Sequence, residues 1–596
     1  MAKDKQAGLL LRMVESELSQ KIRRALRWDS STLLIVLGVL LVLWLLVVPV
    51  VMLVMSSLRT GPPSLPGPWT LRNYAVAFSS EFFFGSLINT FIISTGATLG
   101  ALGLAILFAW LIERTDMPFR GAAWVAVLLP LVVPGVLFAL AWMLLLLPKF
   151  GLINIAVRNL LWVFGVDLQE GPLDIQSLWG LVYLGTLRGV STIFLMIVGL
   201  FRTMDPGLEE SARISGAPPW RVFRKITLPL LGPALFAAGT YSFVSHLDSF
   251  EAPLAVGLPS GIFVLATLIY FQAILSVPGD YGLSAAYAVF FMAIMAVFAG
   301  FYLKMISRSD RFAVIRGRGF QPSRYRLGKW RFVAFGLFVA YFMLTVAAPI
   351  LVLVWASLLP FYMVPSSEAF AAMSLNQYFT ILKNPRFVSD LVNTLYMAVG
   401  AASATMAVAL LLSWIVVRTK SRARFALDGF TFISFAVPGV VVALALVFVY
   451  LRPPFRYLGI YGTTGMIILG LMTQYLAFAT RTTNGGLIQI HRELEEAAST
   501  SGAGRLITLW KITVPLLIPC LVAGWIWVVA HSLRAFSIPL VLGTKRNEVL
   551  SVWIWIHWQN GHIPLAAALG VILIIITTVL AIAARRLVTR TAMEAR

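Results

Sequence analysis

Residues 210–229 read E-S-A-R-I-S-G-A-P-P-W-R-V-F-R-K-I-T-L-P, and residues 496–515 read E-A-A-S-T-S-G-A-G-R-L-I-T-L-W-K-I-T-V-P. Each stretch opens on an acid followed by two small or polar residues. A glycine lies six positions after the acid, an isoleucine ten further on, and a proline three beyond that. The spacing predicts two short helices joined at the glycine, because glycine alone enters a left-handed turn without steric cost. The proline then fits the first turn of a following helix, where its missing N–H is least costly.

The two stretches are parts of a longer repeat. Tyr74, Asn89-Thr90 and Pro134-Gly135 match Tyr378, Asn393-Thr394 and Pro438-Gly439 at a constant offset of 304. From Glu210 onward the offset is 286: Gly216, Pro229, Phe250, Pro253 and Gly257 match Gly502, Pro515, Phe536, Pro539 and Gly543. One gap of 18 residues after the third apolar segment explains the change. A repeat of this period implies two copies of one unit.

The unit is a membrane one. Of 596 residues, 59% are hydrophobic and only 12% charged, with mean hydropathy +0.87. Soluble domains carry about 25% charged residues. Twelve apolar segments approach the roughly 20 residues that span a bilayer. They fall near 33–57, 86–112, 121–147, 178–202, 227–247, 284–306, 331–358, 388–416, 425–450, 462–482, 514–533 and 565–585. The expected fold is therefore all-α: a polytopic membrane protein of two parallel six-helix repeats about an axis along the membrane normal. The expected boundaries are 1–32 (an amphipathic N-terminal segment at the cytoplasmic face), 33–306 (first domain), 307–330 (cytoplasmic linker) and 331–590 (second domain).

The net charge of +22 does not point to nucleic acid. The basic residues sit in short runs between spans, on one side, as the positive-inside rule requires. That side is assigned to the cytoplasm, with both termini. The opposite loops are poorer in Lys and Arg, and 248–280 has none, so it reads as an external loop. The single cysteine, Cys520, excludes an internal disulfide. No phosphate-binding G-x-x-x-x-G-K-[ST] loop is present, so ATP hydrolysis by that route is not expected of this chain.

The duplicated pattern resembles the EAA coupling loop of type I ABC importer permeases, in a fused double-domain form similar to the ferric-iron, thiamine and polyamine group. The resemblance covers nearly the whole chain. It implies that Glu210, Ser211, Ala212, Gly216, Ile226 and Pro229 couple to one ATPase subunit, and Glu496, Ala497, Ala498, Gly502, Ile512 and Pro515 to a second. Ser211 departs from the usual alanine, and Pro218-Pro219 against Ala503-Gly504 makes the two turns unequal. The implied partners are two copies of a cytoplasmic ABC ATPase, which bind ATP and magnesium, and an extracytoplasmic substrate-binding protein. The implied location is the bacterial cytoplasmic (inner) membrane. The implied cargo is ferric iron, or another small solute such as thiamine, a polyamine, a phosphonate or a sulfate-like anion. No cofactor is expected on this chain.

Few ionisable groups lie near the spans, and such groups usually face a cavity or a partner. Asp248 and Arg534 are equivalent under the 286 offset, which suggests an external gate in which the two meet across the pathway. Solvated loop positions are the plainer alternative. His246 and His531 read as packing residues, and no metal site is expected. Asn89 and Asn393 read as hydrogen-bonding between helices. An ion-coupled secondary transporter fits less well, because the span centres are almost devoid of Asp and Glu.

Overall fold

The computed structural model describes residues 30–204, 207–309 and 324–594. The N-terminal segment lies almost wholly outside the described residues, as do residues 310–323 of the expected linker. The linker's end is ordered: Tyr325 N–H donates to Arg114 O at 2.8 Å, and Asp116 N–H to Tyr325 O at 3.0 Å.

The described chain is helical, with isolated bridges in place of strands. Nine helices are long and apolar enough to cross a membrane, or up to twelve if each of three bent pairs is one span. The sequence segment 462–482 lies in the helix Thr464–Gln489; that helix is not among the nine, because Gln474, Arg481 and Asn484 dilute its apolar character.

Three expectations need correction. Segments 121–147 and 425–450 are not straight. Arg120–Val132 meets Gly135–Leu146 at 101°, and Ala423–Ala436 meets Gly439–Tyr450 at 110°. The cause is local. A residue before proline is pushed out of the α region, and Val133 (ψ 121°) and Val437 (ψ 114°) are extended just before Pro134 and Pro438. The region 248–280 is likewise no loop. Pro253–Ser260 and Leu265–Leu275 form a helical pair bent by 77°, with Leu254, Val256, Leu265 and Ile269 buried. Its freedom from Lys and Arg fits burial in protein. In the second half Ser537–Leu542 and Leu550–Gln559 take this place.

The third correction concerns where spans five and eleven begin. Each helix starts earlier than the apolar run, at Pro219 and Arg505, and continues to Leu247 and Leu533. Pro229 does sit in the first turn of the α-helix resuming at Leu228, but a π turn, Phe223–Thr227, joins it to the residues before. The same device precedes Pro515 (Leu509–Thr513), Pro49 (Leu43–Val47) and Pro349 (Met343–Ala347). A proline ring clashes with the carbonyl four residues back, and a π turn shifts that carbonyl away.

The repeat is visible in matched ties. Ser57 Oγ meets Tyr74 Oη at 2.7 Å, and Ser357 Oγ meets Tyr378 Oη at 2.8 Å. Thr90 Oγ1 accepts from Leu265 N–H at 2.9 Å, and Thr394 Oγ1 from Leu550 N–H at 3.0 Å. Asn89 and Asn393 donate to the backbone carbonyls of Phe263 and Glu548. The halves also exchange their first spans. Val42, Leu45 and Leu46 pack with Met406, Leu412 and Ile415 of the second half. Phe338 lies 4.5 Å from Phe108 of the first, ring centre to ring centre. The packing therefore crosses the boundary drawn near residue 307.

Candidate functional site: two elbows and a central cavity

Each elbow opens with a short helix, Gly207–Ile214 or Arg492–Thr500. Its end is a left-handed glycine cap. Gly216 has φ +80° and Gly502 φ +83°. Gly216 N–H donates to Arg213 O and Ala217 N–H to Ala212 O; Gly502 and Ala503 repeat this with Ser499 and Ala498. This double bond pattern satisfies the helix's last carbonyls. A β-carbon at either glycine meets open space, so the requirement is conformational. Valine at either position is expected to cost about 1–2 kcal/mol in elbow order and to weaken capture of a docked partner several-fold. Unchanged partner binding in the Gly216→Val, Gly502→Val double variant would refute this role for the turn.

The elbow surface is apolar at its tips. Ile214 is 88% exposed, Trp220 68% and Trp510 63%. Exposed apolar patches of this kind mark contact surfaces. Ser211, Ala212, Ile226 and Pro229 line one shallow groove. Ala497, Gly502 and Pro515 are exposed, and Ala498 and Ile512 half-buried. Glu210 is half-buried and Glu496 exposed.

The acid that anchors each elbow is the preceding one, which the sequence reading passed over. Glu209 is buried; its Oε2 lies 3.5 Å from Arg114 Nε, and its Oε1 accepts from Thr227 Oγ1 at 2.6 Å. In the second half Glu495 Oε1 lies 2.9 Å from Arg418 Nε and accepts from Thr513 Oγ1 at 3.0 Å. Arg114 also donates to Met204 O, and Arg418 to Ile490 O. Every member obeys the repeat offsets, 304 for the arginines and 286 for the rest. That was the available signal. These anchors tie each elbow to the end of the second span of its own half, Glu81–Arg114 or Pro385–Arg418.

Between the halves lies a cavity of about 630 Å³ that Asp248 and Arg534 both line. They do not bond to each other. Asp248 Oδ1 accepts from Gly439 N–H at 3.2 Å. Arg534 Nη1 donates to Leu131 O. Each residue thus reaches the sharply broken third span of the opposite half, two crossed contacts in place of the direct tie expected between them. The histidines are satisfied as packing residues. His246 Nε2–H donates to Gly185 O (3.0 Å), which leaves Nδ1 to accept from the Ser242 hydroxyl (3.2 Å). His531 Nε2 accepts from Arg534 Nη2 at 2.7 Å, which assigns its proton to Nδ1, facing Trp527 O at 2.9 Å. Among the described residues no three His, Cys, Asp or Glu side chains gather as a metal site.

The chain is similar to several known proteins. A ferric transport system permease protein, FbpB of Actinobacillus pleuropneumoniae, is 24% identical over 562 residues, covering 90% of this chain and 75% of its own. A sulfate transport system permease protein, CysT of Escherichia coli, is 28% identical over 221 residues, 34% of this chain and 77% of that one. A solved bacterial ABC transporter involved in import of the acidic polysaccharide alginate covers 44% of this chain and 96% of its own, at 17% identity and a TM-score of 0.37. The family model for the binding-protein-dependent transport system inner membrane component matches twice, at residues 101–309 and 405–593. With more than half of its length matched, and matched in two copies, the chain belongs to that family, as a fused double permease of a binding-protein-dependent ABC importer.

Proposed function

We propose that this chain forms the whole translocation pathway of an ATP-driven importer for ferric iron. One cytoplasmic ATPase docks at each elbow, and a substrate-binding protein delivers cargo at the other face. The observation that carries the reading is the pair of anchored elbows, at equivalent places in two halves that enclose one cavity. Nucleotide-driven approach of the ATPases would draw the elbows together. The Arg114–Glu209 and Arg418–Glu495 anchors would pass that motion to the long helices bordering the pathway. The chain is then a gate driven from outside, a rigid-body device and not a catalyst. Iron is supported by the ferric permease relative that matches over 90% of the chain. Selection of the metal falls to the binding protein, since the described residues gather no metal-ligand cluster.

The test is reconstitution in proteoliposomes with the cognate ATPase and binding protein. Uptake of labelled ferric iron should require ATP and both partners. Uptake that persists without the ATPase and follows an ion gradient would replace this reading with a secondary transporter. ATP-dependent uptake of sulfate or thiamine, and not iron, would overturn the cargo alone.

A further inference from the structure

Five charged side chains line the central cavity: Arg188, Asp248, Glu251, Arg534 and Arg481, the last paired with Asp428. Among the described residues none of them lies within ion-pair distance of another. Asp248 and Arg534 are engaged by the crossed contacts. Arg188 and Glu251 are nearly unspent. Arg188 has one long hydrogen bond, to Val133 O at 3.4 Å, and stands 5.8 Å from the Phe138 ring centre. Glu251 is half-buried, with its oxygens open to the cavity. Both border Gly135, where a β-carbon would overlap the Glu251 carboxylate and press on the Arg188 guanidinium.

The second half shows that the break itself does not need these charges. Under the 286 offset Arg188 becomes Gln474 and Glu251 becomes Ser537. Those neutral residues border Gly439 in the same way, with Ser537 Oγ 2.8 Å and Gln474 Nε2 3.0 Å from a β-carbon built there. The fold is thus satisfied by a neutral pair. Charged groups inside a membrane region are costly and mark substrate or ion pathways; here Arg188 and Glu251 stand side by side at Gly135 without a direct ion pair.

We infer that the cavity is a transit site for a small dipolar solute, one that carries a cationic centre and an oxyanion group together. Glu251 meets the cationic centre, and Arg188 meets the oxyanion, which a guanidinium fork binds in two-point fashion. The inference rests on the cavity being the solute pathway. Under the iron reading it states that the metal crosses with an oxyanion still attached, because a bare trivalent cation would face the guanidinium groups of Arg188 and Arg534 besides that of the paired Arg481.

The variants Arg188→Gln and Glu251→Ser install what the second half already tolerates, and Arg188→Lys keeps the charge. The full chain in lipid nanodiscs would be titrated with ferric citrate, with glycine betaine (a metal-free zwitterion) and with hexaamminecobalt(III), an exchange-inert trivalent cation lacking any oxyanion. The expected result is binding of ferric citrate, weakened at least tenfold by Arg188→Gln and by Glu251→Ser. Arg188→Lys, which keeps the charge but loses the fork, should bind more weakly than the natural chain and more tightly than Arg188→Gln, and hexaamminecobalt(III) should not bind. If betaine binds with that residue dependence and ferric citrate does not, the dipolar site stands and the iron reading falls. Equal affinity in all variants, binding of hexaamminecobalt(III) as tight as the dipolar probes, or no binding of any probe would overturn the inference.

Discussion

Exchanging the two residues of the crossed contacts, Asp248→Arg with Arg534→Asp, is expected to leave the importer worse coupled than either single change. Two facing charges would tolerate such a swap. Two crossed contacts do not, because Asp248 serves as an acceptor for Gly439 N–H and Arg534 as a donor to Leu131 C=O. After the exchange a donor would face an N–H and an acceptor a carbonyl. A hydrogen bond to a charged group contributes about 1.5–3 kcal/mol, so losing one shifts the gate equilibrium by roughly 10- to 100-fold, and losing both by more. ATPase activity that no longer needs the binding protein is the readout. Asp248→Asn should be mild, since an amide oxygen still accepts from Gly439, whereas Asp248→Ala should not. Recovery of coupling in the swapped protein would restore the face-to-face tie.

The second large effect is expected at the first elbow. Glu209→Ala strands the fully buried Arg114 guanidinium, and removing one partner of a buried pair costs about 3–5 kcal/mol. Capture of the ATPase at that elbow should fall on the order of 100-fold or more. Glu495→Ala should do less. Its carboxylate is partly exposed, and Arg418 keeps hydrogen bonds to Leu487 O and Ile490 O. The double change Arg114→Met with Glu209→Leu should recover much of the lost stability, since an apolar pair leaves no buried charge behind. Thermal unfolding and ATPase co-purification of the three variants check this. Equal losses from Glu209→Ala and Glu495→Ala, or no recovery in the double variant, would show that the anchor acts by some other means.

The sequence was most readable where the chain repeats itself. Gly216 and Gly502, Pro229 and Pro515, and the offset change near residue 150 all carry one local reason each, and the structure shows a left-handed cap, a resumed helix and an inserted segment. What was not readable depends on distant partners. Glu209 and Glu210 are neighbours on a helix and point about 100° apart; which one turns inward is decided by Arg114, far back in the chain. Asp248 and Arg534 were expected to meet because they are equivalent. Equivalence about an axis brings two residues together only if both lie on the axis. Off it, each meets the other half's neighbouring element, here the breaks at Val133-Pro134 and Val437-Pro438. The buried helical pair after residue 252 was missed for a related reason. An apolar run without charge looks the same whether protein or lipid surrounds it, and the lack of Lys and Arg in 248–280 read as an external loop.

The central claim is that one chain carries two working elbows, each taking one ATPase. Native mass spectrometry of the importer, extracted without the binding protein, tests it most directly. The mass should correspond to one copy of this chain with two copies of the ATPase, and cysteines placed at Ser215 and Ser501, both exposed at the elbows, should cross-link to separate ATPase copies. A complex with a single ATPase that transports at full rate, or cross-links from only one of the two positions, would contradict the account.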